Sequence, residues 1–160
     1  MSQKWDKKRS SLKVSNHKWK GEKFMIYEFE VPAKIIGKGR PRLNSYTGQV
    51  YTPTRTKDYE SLVEQYFLLK YPRYKSIEGR AKVNITAFFE VPKSTSKVQK
   101  EQMLGNNISP TKKPDIDNIV KIVLDSMNKF AFKDDTQITK IEVEKMYAEQ
   151  EKLYIKIEEY

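Results

Sequence analysis

Apolar and polar residues alternate in several runs of this chain. Over 24–31, Met25, Tyr27, Phe29 and Val31 share one side of such a run and predict a strand. Ala81, Val83, Ile85, Ala87, Phe89 and Val91 repeat the pattern, interrupted only by Phe88, and predict a half-buried strand. Two more strands are expected over 138–147 and 152–159; the polar turn between them reads as the bend of a terminal hairpin. Elsewhere the period lengthens. Thr52-Pro53 reads as a helix start, with Thr as N-cap and Pro at the first helical position, and Leu62, Val63, Tyr66 and Phe67 continue it as one stripe until Tyr71-Pro72. A short helix is expected after Ser94, then a turn-rich loop over 105–110. The last helix runs from near Asp115 to near Asn128, with Ile116, Ile119, Val120, Val123, Leu124 and Met127 as its buried stripe. Strand, helix, strand, short helix, helix, strand, strand describes a mixed α/β domain of the α+β type, one mixed sheet packed with helices.

At 160 residues the chain suits a single domain. Residues 1–22 hold charge, Ser and Asn without a sustained period, so they read as a flexible basic arm before a domain over 23–160. No apolar run approaches a membrane span and no signal peptide is evident, so a soluble, cytoplasmic protein is the expectation. There is no cysteine, which removes disulfides, thiolate metal sites and thiol nucleophiles. Net charge is +10, with basic residues crowded before residue 60 and acidic ones in the last strands. A molecule with one basic side suits a polyanion better than uniform basicity would.

The only histidine, His17, falls in the arm, so a Ser–His–Asp triad or a histidine zinc site is not expected. Carboxylates and lysines remain, the ligand set of hard cations such as magnesium. They concentrate in Lys112-Lys113-Pro114-Asp115-Ile116-Asp117, then Lys121, Asp125 and Asp134-Asp135. Asp117, Lys121 and Asp125 recur every fourth residue and share a helix face. Asp115 and Asp117 at the helix start can converge on one ion, and Asp134 and Asp135 can close the site from the next element. Taken alone, both helix-start acids are better read as capping and dipole compensation, and Asp134-Asp135 as a turn. Lys38, Arg40 and Arg42 in the Gly-flanked loop 37–42, with Lys112 and Lys113 beside the acids, are candidate phosphate contacts; a solvated basic loop is nearly as good an account of the first three. The loop lacks the Gly-Lys-Ser/Thr ending of a P-loop, so no nucleotide cofactor is expected.

The run KPDIDNIVKIVLDSMNKFAFKDDTQI closely resembles the signature of RusA-family Holliday junction resolvases: Asp-x-Asp-Asn-x-x-Lys, a further Asp on the same helix, and an Asp-Asp pair before a strand. Weaker similarity reaches back to GKGRPR and the Tyr–Thr–Pro helix start. The resemblance implies a magnesium-dependent endonuclease, with Mn2+ able to substitute, acting as a homodimer on four-way DNA junctions. It makes Asp115, Asp117 and Asp135 the metal-site acids and Lys121 the essential lysine. Asp134 is a further candidate ligand, and Asp125 an acid that either joins the site or stabilises Lys121. Three rivals are weaker. A PD-(D/E)xK nuclease lacks its downstream Asp/Glu-x-Lys, and a glycosyltransferase lacks a nucleotide-binding βαβ pattern. A non-catalytic nucleic-acid-binding protein explains the charge but not the clustered aspartates.

Overall fold

The computed structural model describes residues 24–160; the basic arm expected over 1–22 lies outside the described residues. Four strands, β1 (Ile26–Val31), β4 (Ala81–Glu90), β5 (Ile138–Ala148) and β6 (Lys152–Glu159), form one mixed sheet in the order β1-β6-β4-β5. A small hairpin of β2 (Arg42–Leu43) and β3 (Val50–Tyr51) flanks a turn over 45–47. The helices are α1 (Thr54–Lys70), α2 (Lys97–Leu104) and α3 (Ile116–Met127).

Alternation decides the strands. Every second residue of β1, β4 and β6 is buried. Register then aligns these residues into rows: Ile85 lies between Ile155 and Val143, and Phe29 faces Ile155 from the other side. α1 and α3 cover this face, burying Val63 and Phe67 from one helix and Ile119, Val123 and Met127 from the other. The Tyr27 and Phe67 rings meet edge to face at 5.1 Å, while the Tyr27 hydroxyl accepts from the Lys75 amide at 2.9 Å. The opposite face is polar. There Lys152 pairs with Glu30 at 2.8 Å, and Lys82 and Lys140 both hold Glu142, at 3.3 and 2.9 Å.

Three expectations are corrected. The terminal strands are not a hairpin, because β4 lies between them, parallel to β5 and antiparallel to β6. Crossing one strand takes about 10 Å, which three residues at roughly 3.3 Å each can span, so the short turn 149–151 reads the same locally in either topology. Helix α1 starts one residue late. Pro53 is the N-cap, and its carbonyl accepts from the Thr56 and Lys57 amides, with no side-chain cap. The buried stripe of α3 is also rotated, to Ile119, Ile122, Val123, Ser126 and Met127. Ser126 enters that face by donating its hydroxyl to the Ile122 carbonyl at 2.6 Å, which leaves no unpaired polar group. In exchange Ile116 is exposed, and Val120 and Leu124 are only half-buried.

Candidate active site

Asp115 sits at the N-cap of α3 with extended backbone, yet its carboxylate makes no cap hydrogen bond. It is therefore not spent on the helix end, the role that capping alone would give it. Asp117 stands in the first turn, and Lys121 reaches it at 3.2 Å. All three side chains face outward. Two carboxylates thus meet the positive end of the helix with one ammonium beside them.

Asp125 is paired with Lys38, and Lys121 with Asp117. The Asp125 carboxylate lies 2.7 Å from Lys38, which Glu60 of α1 approaches from the other side at 2.5 Å. Burial opposes the charge on Lys38, but the hydrogen bonds it donates to Asp125 and Glu60 outweigh this and hold its pKa above the ordinary lysine value. The Lys38 amide also donates to the Asn118 carbonyl at 2.9 Å, and the Gly39 amide to the Thr56 hydroxyl at 3.2 Å. Lys38 thus ties the loop 37–42 to α1 and α3 while also lining the cleft beside it. Gly37 is required by space: a Cβ there would stand 2.7 Å from Pro114 and 2.9 Å from Asn118.

The loop so fixed forms one wall of a cleft of about 580 Å3 that Asp115 lines, together with Arg40, Arg42, Arg55, Lys34 and Lys113. A second cavity of about 400 Å3 shares Lys34, Ile35 and Lys113 with it and adds Lys93 and Lys112. Lys145 donates to the carbonyls of Lys112 and Pro114 and so holds the segment before Asp115 in place. Among the described residues, none of Lys34, Arg40, Arg42, Arg55, Lys93, Lys112 and Lys113 forms an ion pair, whereas Lys82, Lys140, Lys152 and Lys156 on the far sheet face each hold a glutamate. The sequence alone does not single out Lys34 and Arg55 as site residues. Only the fold carries them to the cleft, and the nearest local signal for Arg55 is its place one residue into α1.

Asp134 and Asp135 stand elsewhere. Asp134 caps a 3-10 turn, Asp135–Gln137: its carboxylate accepts from the Thr136 amide at 2.9 Å while the Gln137 side chain accepts from the Asp134 amide at 3.0 Å. Hydrogen bonds from Thr136 hold the Asp134 carboxyl below the ordinary carboxylate range. Gln137 also donates to the carbonyls of Ile77 and Gly79, which places the turn at the start of β4 and β5. Asp115 is held at the other end of these strands, where Lys145 reaches Pro114. Among the described residues, no three acidic or histidine side chains are grouped closely enough to hold a metal ion. The structure therefore brings Asp115, Asp117 and Lys121 together but not Asp135 with them.

A mixed α+β domain with acids at a helix start, bordered by a cleft of unneutralised cations, defines a protein built to meet a polyanion. The family model for Endodeoxyribonuclease RusA matches residues 32–158. An uncharacterized protein of Bacillus subtilis (strain 168), YqaN, is 32% identical over 139 residues, covering 82% of this chain and 95% of its own length. The chain belongs to the RusA endodeoxyribonuclease family of Holliday junction resolvases. No helix among the described residues is long and apolar enough to cross a membrane.

Proposed function

We propose that this protein resolves four-way DNA junctions by paired nicks that depend on magnesium, with Mn2+ as a substitute. Asp115, Asp117 and Asp135 are its metal ligands, with Asp134 as a further candidate. The observation that carries this reading is the uncapped Asp115 carboxylate beside Asp117, at the edge of a cleft whose Lys34, Arg40, Arg42, Arg55 and Lys113 form no ion pair among the described residues. The donors are all oxygens, the set that hard divalent cations take. A single chain supplies two of the three acids in one place, so within one chain the fit to a metal is incomplete. A divalent ion bound there would supply Lewis-acid polarisation of the scissile phosphate and a water of lowered pKa.

The chain's own groups account for the rest. Arg40, Arg42, Lys112 and Lys113 hold the phosphodiester backbone along the cleft, and guanidinium pairs suit phosphate oxygens through bidentate contact. Lys121, 3.2 Å from Asp117, offers positive charge where the pentacovalent transition state gathers negative charge. Water oxygen joins phosphorus and gives up a proton to solvent as the bond to the leaving strand's oxygen breaks, and that oxygen takes a proton from solvent. A junction has near two-fold symmetry, so a C2 homodimer presents one site to each of two strands.

The test is a nicking assay on a synthetic mobile junction, with and without magnesium, for wild type and Asp117→Asn. Symmetric metal-dependent cuts by the wild type alone support the reading. Tight junction binding without cuts in any divalent metal assigns the protein to the non-catalytic, structure-specific binders.

A further inference from the structure

We infer that Lys145 is a positioning residue for the reaction: it aims the Asp115 carboxylate by gripping the chain just before it. The inference rests on the metal-site reading above and concerns how one of its acids is held. Asp115 has little of its own to fix it. Its carboxylate makes no cap hydrogen bond, and its backbone is extended, with φ −71° and ψ 153°. Its carbonyl joins α3, accepting from the Ile119 amide at 3.1 Å. The direction of its side chain otherwise follows the path of 112–114, and these residues belong to neither helix nor strand. Among the described residues, Lys145 is the one group that hydrogen-bonds the backbone of 112–114.

Lys145 stands inside β5, opposite Ala87 of β4, and is half-buried. Its ammonium donates to the Lys112 carbonyl and, at 3.2 Å, to the Pro114 carbonyl. One charge thus holds two carbonyls two residues apart, which fixes both the place and the direction of the segment leading to Asp115. Charge-assisted bonds of this kind are stronger than neutral ones. The Phe89 ring supports the ammonium from the core: its centre is 5.2 Å away, and the residue is fully buried. The Lys112 ammonium lies over the same ring at 5.2 Å, so the segment is tied to β4 as well. Gly37 packs against Pro114, but an apolar contact sets distance and not direction. Lys145 has no acidic partner among the described residues, yet it lines neither of the two cavities, unlike Lys113. Its donors face protein carbonyls, which separates it from the phosphate contacts.

The experiment compares Lys145→Met, which keeps the stem and removes the donors, with Lys145→Arg, which keeps charge and donors. Lys152→Met is the control, because Lys152 also lies over a ring, Phe88, but pairs with Glu30 on the polar face. Four quantities are read: junction turnover, junction affinity in EDTA, Mn2+ affinity by electron paramagnetic resonance, and thermal midpoint. Groups that orient a metal ligand are worth about 10–100-fold in metal affinity or activity. Lys145→Met should lose that much in both turnover and Mn2+ affinity while its metal-free junction affinity stays at the wild-type value. Lys145→Arg should recover most of the loss, and Lys152→Met should match wild type in turnover and Mn2+ affinity. Wild-type Mn2+ affinity in Lys145→Met overturns the inference. So does a loss confined to junction affinity in EDTA, which makes Lys145 a DNA contact. Where the Met variant does not fold, Lys145→Gln takes its place, a donor one bond too short to hold both carbonyls. Its Mn2+ affinity should fall, and a wild-type value there overturns the inference equally. A wild type that binds Mn2+ but nicks no junction sinks the resolvase reading alone, since Mn2+ affinity still reports how Asp115 is held.

Discussion

Asp117 and Lys121 form an exposed pair 3.2 Å apart, and an exposed pair of this kind adds little to stability. Their value is chemical. Asp117→Asn keeps shape and removes ligand charge, so junction cleavage should collapse while junction binding and thermal midpoint persist; normal cleavage would remove Asp117 from the site. Lys121→Ala should lower turnover by about 10²-fold with little change in affinity, if the ammonium serves the transition state. Loss of binding with unchanged turnover would instead make it a DNA anchor. Lys38 is the opposite case, a residue whose two carboxylate partners are its purpose. Lys38→Met strands Glu60 and Asp125 against each other, and we expect a loss of about 1–3 kcal/mol in denaturant unfolding.

Elements inherit such differences. The loop 37–42 has a fixed place because Gly37 lies against Pro114 and Asn118 at distances no side chain can enter. Gly37→Ala should push the loop off α3 and cost about 1–3 kcal/mol as overpacking. It should also weaken junction binding, because Arg40 and Arg42 ride on the displaced loop; wild-type stability and affinity would show that the packing there yields freely. On the far face, Glu142 shows how the sheet handles its own charges. Lys140 foremost, then Lys82 and Asn84, hold its carboxyl at about 2 against an ordinary value of 4.5. A depressed carboxyl stabilises the fold fully above its unfolded value and loses that contribution as pH falls through the folded one. Acid unfolding should therefore draw on Glu142 between about pH 4.5 and 2, and Glu142→Gln should flatten that part of the stability profile.

At the scale of the whole molecule, among the described residues, Lys82, Lys140, Lys152 and Lys156 on the sheet's polar face are matched with glutamates, whereas the cations around the two cavities, Lys38 apart, are not. Net charge alone would not distinguish these lysines; their pairing does. Substituting Lys34 and Arg55 with Ala should weaken junction binding and lower its salt slope by up to about 0.9 for each phosphate no longer neutralised. Removing Lys140 and Lys156 carries the same charge change and should leave both nearly unmoved. Equal effects from the two pairs would mean that DNA senses only net charge.

The strands, helices and acid motif were legible in the sequence because each is a local pattern: alternation for β1, β4 and β6, a 3.6 period for α3, and fixed spacing for Asp115, Asp117 and Lys121. The family was legible for the same reason, since its signature is one contiguous run. What the chain could not display locally was which strands pair and which faces meet. The turn 149–151 reads the same whether β6 folds beside β5 or crosses β4, and α3 is apolar over a wider arc than one chain buries. Sequence spacing set Asp135 only 18 positions after Asp117. A straight helix turned that short separation into a long distance, because a helix converts sequence into length along one axis. Tertiary structure alone decided that the acids of one chain stand apart, that Lys38 serves the scaffold, and that Lys34 and Arg55 reach the cleft.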